Sequence, residues 1–149
     1  MKMDIRLDIT EFLTAAGRAR VTSSDLKKIE TPGALVLVNG MRERVPVDTS
    51  ATKNSIASHY DVELDDVLVD QVGPETEYGP YLEYGTGEYA EGGNGRKGGW
   101  VYKGRNGFFH TMGSHPQPFV RPTVEAEEDT CIRAISEAMR SYLEDEWVG

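Results

Sequence analysis

The sequence predicts an α+β fold: a small antiparallel β-sheet packed by helices, with a long C-terminal helix and a glycine-rich projecting loop or hairpin. Three patterns carry that prediction. Apolar residues alternate at period two near the start and again over residues 60–72, as in strands with one wet and one buried face. A stripe of Val124, Cys131, Ile132, Ile135, Ala138, Met139, Tyr142 and Leu143 recurs at helical spacing. Ten of the 16 glycines fall between Gly85 and Gly113, a density that buries too little to order a long segment by itself.

Taken in order, Met3, Ile5, Leu7 and Ile9 alternate with Asp4, Arg6 and Asp8 and form the first strand. Thr10 is the expected N-cap of a short helix holding Phe12, Leu13, Ala15, Ala16 and Ala19. Ser23-Ser24-Asp25 is a possible cap for a turn through Leu26 and Ile29, but Thr31-Pro32 is the better start signal, since proline at the first helical position loses no needed hydrogen bond. A helix then runs through Arg44, although Asn39-Gly40 also suits a hairpin turn. Pro46 ends that element, and Asp48-Thr49-Ser50 opens a short turn or helix carrying Asn54, Ser55 and Ile56.

Tyr60, Val62 and Leu64 alternate, Asp65-Asp66 turns the chain, and Val67, Leu68, Val69, Gln71 and Val72 run back as a hairpin closed by Gly73-Pro74. Residues 78–86 form a helical turn or tight loop. Its tyrosines, Tyr78, Tyr81 and Tyr84, suit either core packing or a subunit contact. Within a flexible loop at about 87–115, Trp100-Val101-Tyr102 and Gly107-Phe108-Phe109 pair as a small hairpin. After Pro122 one helix runs to about Trp147. At 149 residues, one domain is the simplest organisation.

Composition narrows the function. Lys and Arg number 16 against 25 Asp and Glu, for a formal charge of −9. Proteins that grip nucleic acid neutralise phosphates with a basic face, so this balance argues against DNA binding while leaving room for a surface past which DNA slides. No apolar run reaches the length of a membrane span, and the charged alternating start lacks a signal-peptide core. Cys131 is the only cysteine, so no intrachain disulfide forms; mid-helix, it reads as a small buried hydrophobe made in a reducing cytoplasm.

Catalytic and metal-binding patterns are weak. His110 and His115 flank a glycine-containing loop, but nothing in the spacing selects His59, Cys131 or any acid as further zinc ligands. No Gly-x-Ser-x-Gly elbow occurs. The run Gly92-Gly93-Asn94-Gly95-Arg96-Lys97-Gly98-Gly99 lacks the Gly-Lys-Ser/Thr of a phosphate loop. Glu125, Glu127, Glu128 and Asp129 lie in the early turns of the last helix, where acids complement the helix dipole.

Three blocks in order carry a resemblance: Pro46-Val47-Asp48-Thr49 with Asn54-Ser55-Ile56, then Tyr78-Gly79-Pro80-Tyr81-Leu82-Glu83-Tyr84-Gly85-Thr86, then Pro118-Phe119-Val120-Arg121-Pro122 before a final helix. Together they resemble the small neck or tail-completion (head–tail joining, minor tail component) proteins of long-tailed bacteriophages. That family's pattern runs Pro-Val-Asp-Thr-Gly, Ser-Ile, Tyr-Ala-x-Tyr-Val-Glu-Phe-Gly-Thr and Pro-Phe-hydrophobe-Arg-Pro-Ala. The resemblance covers roughly residues 45–147. Ser50 stands where the family has glycine, Thr123 where it has alanine, and Pro32-Gly33 interrupt a helix that is more continuous in the family.

The resemblance implies a structural virion protein without catalysis, cofactor or metal. It would form a hexameric or dodecameric ring between the head connector or stopper and the tail tube or terminator. Double-stranded DNA would pass through without specific binding. A tail terminator or head-closure stopper is the runner-up, and a small metal-dependent enzyme using His110 and His115 a distant one. The residues expected at subunit or partner contacts are Tyr81, Glu83, Tyr84, Gly85 and Thr86 at the loop root, and Trp100, Tyr102, Phe108 and Phe109 on the loop. Phe119, Arg121 and Pro122, before the last helix, complete the set. Arg121 is expected to pair with an acid, Glu83 being the first choice, in its own or the next subunit.

Overall fold

A computed structural model describes residues 2–46, 50–63 and 65–148, with backbone only at 146–148. The expected Asp48-Thr49 opening and Leu64 lie outside the described residues. The chain is α+β. Strand β1 (Met3–Asp8) leads to helices α1 (Thr10–Ala16), α2 (Ser23–Arg44) and α3 (Ser50–Ser55). Strands β2 (Ala57–Glu63) and β3 (Val67–Gly73), helix α4 (Gly79–Tyr84), strands β4 (Trp100–Gly104) and β5 (Gly107–Thr111) and helix α5 (Val120–Val148) follow. Single 3-10 turns lie at Arg18–Arg20, Gly87–Tyr89 and Glu91–Gly93.

β3 is the central strand of an antiparallel sheet ordered β1-β3-β2, with Ile5 and Tyr60 both opposite Asp70. The β2–β3 turn places Asp65 and Asp66 at φ 72° and 58°, the left-handed region that aspartate tolerates better than most residues. Arg18 forks onto the Asp66 carboxylate, and Ile9 N–H donates to the Asp66 carbonyl at 2.8 Å, tying the turn to the start of α1.

One face of the sheet supports α2 and α5, whose mutual contact is the most extensive between helices. The buried cluster takes Ile5 and Ile9 from the first segment, Phe12 and Leu13 from α1, Ile29, Leu37 and Met41 from α2, Leu68 and Val72 from β3, and Phe119, Val120, Cys131 and Ile135 from the last segment. Glycines let the two helices approach. A Cβ on Gly33 would lie 2.5 Å from Ile135 Cγ1, and one on Gly40 would lie 2.8 Å from Thr123 Cγ2.

Four local expectations are corrected. Thr10 is not the N-cap of α1: Ile9 holds that position, and the Asp8 carboxylate accepts the Thr10 N–H at 2.9 Å instead. α2 does not begin at Thr31-Pro32. It starts at Ser23 behind a capping box, in which Thr22 Oγ1 accepts from Asp25 N–H at 3.2 Å and Asp25 Oδ2 accepts from Thr22 N–H at 2.9 Å. Those bonds hold the Asp25 carboxyl below its ordinary range. Thr22→Ala is expected to cost ~1 kcal/mol, read as a lowered urea midpoint with an unchanged slope. α5 begins at Val120, so Pro122 lies inside its first turn and loses no intrahelical bond there.

Tyr78, Tyr81 and Tyr84 do not pack into the core. The buried face of α4 is Gly79 and Glu83, one helical turn apart, with Gly79 against Pro74. Tyr78 and Tyr81 point outward, 69% and 57% exposed.

Candidate functional site

The third sequence block meets the second around one carboxylate. A helix leaves its first backbone N–H groups unpaired, and here Glu83 supplies the missing acceptors from α4. Glu83 Oε2 accepts from Phe119 N–H at 2.7 Å and Val120 N–H at 2.9 Å. Oε1 accepts from Arg121 N–H and Arg121 Nε–H, both at 2.9 Å. Pro122, next in line, has no N–H to satisfy, and Thr123 Oγ1 donates to the Phe119 carbonyl at 2.6 Å. Burial pushes the Glu83 carboxyl upward, but the N–H donors of Val120, Arg121 and Phe119 and the Arg121 side chain outweigh it and hold it below its ordinary range.

Arg121 extends the junction outward. Its terminal nitrogens fork onto Glu91 at 3.1 and 2.8 Å, one of them also reaches the Glu83 carbonyl at 3.2 Å, and its guanidinium lies 4.7 Å from the centre of the Tyr84 ring. Glu91, assisted first by the Arg121 hydrogen bonds, is held below its ordinary range, and the same contacts raise Arg121. Three segments are thereby pinned: α4, the 3-10 turn at Glu91–Gly93, and the start of α5.

The root of the glycine-rich arm is closed just beside this junction. Thr86 N–H donates to the Ser114 carbonyl at 2.9 Å and Thr86 Oγ1 accepts from Ser114 N–H at 2.9 Å, while Gln117 N–H reaches the Leu82 carbonyl at 2.7 Å. The approach is too close for side chains. Gly85 adopts φ 77°, and a Cβ on Gly113 (φ 117°) would lie 2.0 Å from the Thr86 carbonyl. Beyond the root, His115 stacks on Tyr89 at 3.9 Å, Arg96 lies 5.3 Å from the Trp100 ring centre, and Glu88 bonds Gly98 N–H at 2.8 Å. The arm thus carries contacts of its own.

The predicted hairpin is present as β4–β5, paired from Trp100–Thr111 to Gly104–Gly107. Its aromatic residues are largely outside the core. Phe108 is 75% exposed, Tyr102 and Phe109 are also exposed, and these last two rings lie 5.8 Å apart. Between the hairpin, α4 and α3 lies a concavity of about 620 Å³ whose walls include Thr52, Tyr78, Tyr81, Trp100 and Tyr102. A second, of about 550 Å³, shares Tyr81, Thr86 and Trp100 and extends to Arg96.

Of the twelve residues expected at contacts, the structure gathers all in this region but divides their roles. Tyr81, Tyr84, Tyr102, Phe108 and Phe109 are exposed, and Trp100 lines both concavities. Glu83 and Phe119 are fully buried, so they shape the junction and are not surface contacts. Gly85 and Thr86 serve the root, and Arg121 pairs with Glu83 inside its own chain. Sequence reading missed Glu91 as the second partner of Arg121, because no spacing rule links a glycine-rich turn to a helix start 30 residues on.

The histidines do not converge on a recognisable centre. His59 Nε2 lies 2.6 Å from Glu75, His115 stacks on Tyr89 and His110 is exposed on β5. Among the described residues no group of three or more His, Cys, Asp or Glu is placed to hold a metal ion, and no helix is long and apolar enough to cross a membrane. Cys131 is buried, and burial first, then the nearby Asp70 and Glu30, push its thiol up to about 12. Searches against family models, curated proteins and solved structures return no match to this chain.

Proposed function

We propose that this protein is a structural subunit of a long-tailed phage particle. Copies of it form a ring in the neck that joins the head connector to the tail tube and lets the genome pass. The observation that carries the proposal is the aromatic arm. A hairpin bearing Tyr102, Phe108 and Phe109 stands outside the core, while its root is held by Thr86–Ser114 bonds and the Glu83–Arg121–Glu91 junction. Exposed aromatic side chains on a projecting hairpin suit a contact with another protein, since such residues are enriched at interfaces. A rigid root orients such a surface at little entropic cost on binding. In closed symmetric assemblies each copy offers one patch and receives another, and the concavity beside Tyr81 and Trp100 is a receiving surface of fitting character.

The charge balance supports the same reading. A chain of net charge −9 repels phosphates, so DNA threading a ring of such subunits is not retained by counterion release. The second resembling block supplies the arm root and its aromatic flank and the third supplies the start of α5, and none of this requires bond-making chemistry.

The test is electron microscopy of particles made without the protein, complemented by wild type or by a Trp100→Ala/Phe108→Ala variant. Loss should yield filled heads and separate tails, and the double variant should reproduce that defect while its isolated form keeps wild-type stability. Overlong tails would instead assign the protein to tail termination. Intact infectious particles would overturn the reading.

A further inference from the structure

The hydrophobic interface between α2 and the central strand contains two carboxyl groups that no neck function requires. Alternation on β3 places Asp70 on the same face as Leu68 and Val72, toward the helices, and Asp70 is 0% exposed. Glu30, between Ile29 and Gly33 on the buried face of α2, is 4% exposed. Glu30 Oε1 and both Asp70 oxygens are buried without a hydrogen-bond donor among the described residues. Two ionised carboxylates are acceptors only, and like charges in a dry site cannot both persist. One proton resolves the conflict, because a protonated carboxyl donates to its ionised neighbour.

We propose that Glu30 and Asp70 share a proton at neutral pH, and that this proton latches α2 onto β3, loosening the helix–sheet interface when it leaves. The groups around the pair match that assignment. On α2, the exposed Lys27 opposes the effect and is the smallest of the influences on Glu30. On α5, Cys131 stays a thiol, and Glu128 adds negative charge nearby. On β2, His59 and Tyr60 line a cleft of about 300 Å³ that reaches Glu30, while Tyr60 OH is committed to the Ser23 carbonyl at 2.9 Å. On β1, Ile5 opposite Asp70 does not titrate. Burial first, then Asp70, raise Glu30 to about 8 from an ordinary 4.5, and burial raises Asp70 as well.

The sign follows from linkage. A carboxyl whose folded value is raised binds its proton more tightly in the native state, so it costs nothing below the unfolded value. Stability is then lost as pH climbs, and the loss levels off above the folded value. For Glu30 the window is 4.5 to about 8. Within it the unfolding equilibrium constant rises by up to about tenfold per pH unit for the one proton.

The experiment is urea denaturation of the full chain across this window for wild type, Glu30→Gln and Asp70→Asn, together with infrared spectroscopy of the carboxyl C=O stretch. Wild type should show a protonated-carboxyl band at neutral pH that disappears in alkali; Glu30→Gln should lose the band and flatten the pH dependence, and Asp70→Asn should make the band disappear at lower pH than in wild type. Equal slopes in all three proteins, or no protonated carboxyl in wild type at neutral pH, would overturn the proposal. Should a variant fail to fold, the wild-type band decides alone.

Discussion

Glu83→Ala should lower stability by about 3–5 kcal/mol, the range for removing one partner of a buried charged pair. For a chain of this size that is a fall in Tm of roughly 6–20 °C. The side chain receives four hydrogen bonds, three of them from backbone N–H groups at the start of α5. Truncation leaves those donors buried and unpaired, and each such orphan is costly. Glu83→Gln fills the same volume but turns an NH2 toward a ring of donors, so it should recover only part of the loss. Arg121→Ala should cost less, since its side chain is 37% exposed and Glu91 is half in water.

The same geometry changes what charge swapping can achieve. If Arg121 and Glu83 formed a simple ion pair, reversal at Arg121 would be rescued by reversing Glu83 too. Because Glu83 serves backbone donors first, Arg121→Glu with Glu83→Arg should not recover stability. Thermal melts of the two single variants and the double variant check this, and recovery to within ~1 kcal/mol of wild type would show that the side-chain pair, not the cap, dominates.

How far the sequence discloses this molecule depends on the range of the forces involved. The β2–β3 hairpin, the β4–β5 hairpin and α5 were legible because period-two or helical patterns and turn residues are local. α2 was legible only at its far end. Pro32 looks like a start, yet Ile29, Gly33, Leu37 and Met41 bury on one continuous face against α5 and the sheet, and that packing outweighs the lost bond to the Lys28 carbonyl. Lys28 and Pro32 are exposed, so water can reach the freed carbonyl, and Thr31 Oγ1 bonds the Lys27 carbonyl at 2.6 Å. At the site, the blocks were visible but their division of labour was not. Glu83 reads as a surface acid in Tyr-Leu-Glu-Tyr, and only the tertiary approach of α5 makes it a cap. Asp70 was closer to legible, since the phase set by Leu68 and Val72 already turns it inward.

The second large effect concerns how closely α2 and α5 approach. In an exposed helix Gly→Ala would gain up to about 1 kcal/mol from propensity. At Gly33 the new Cβ would lie 2.5 Å from Ile135 Cγ1, 2.7 Å from Ile135 Cδ1 and 3.0 Å from the Cys131 carbonyl. Ile135 is fully buried, and the carbonyl belongs to the backbone of α5, which cannot swing aside as the tip of a flexible side chain can. Overpacking of this kind costs about 1–3 kcal/mol, so Gly33→Ala should destabilise and Gly33→Leu should do so more severely. Ile135→Ala alone opens a cavity and should cost about 2–5 kcal/mol. Combined, the Gly33 methyl occupies part of the space that Ile135 vacates, so the double variant should be more stable than the sum of the two losses predicts. Urea denaturation of the four proteins measures that coupling. Strict additivity would mean that the helices separate to admit the methyl, and that Gly33 does not set their spacing.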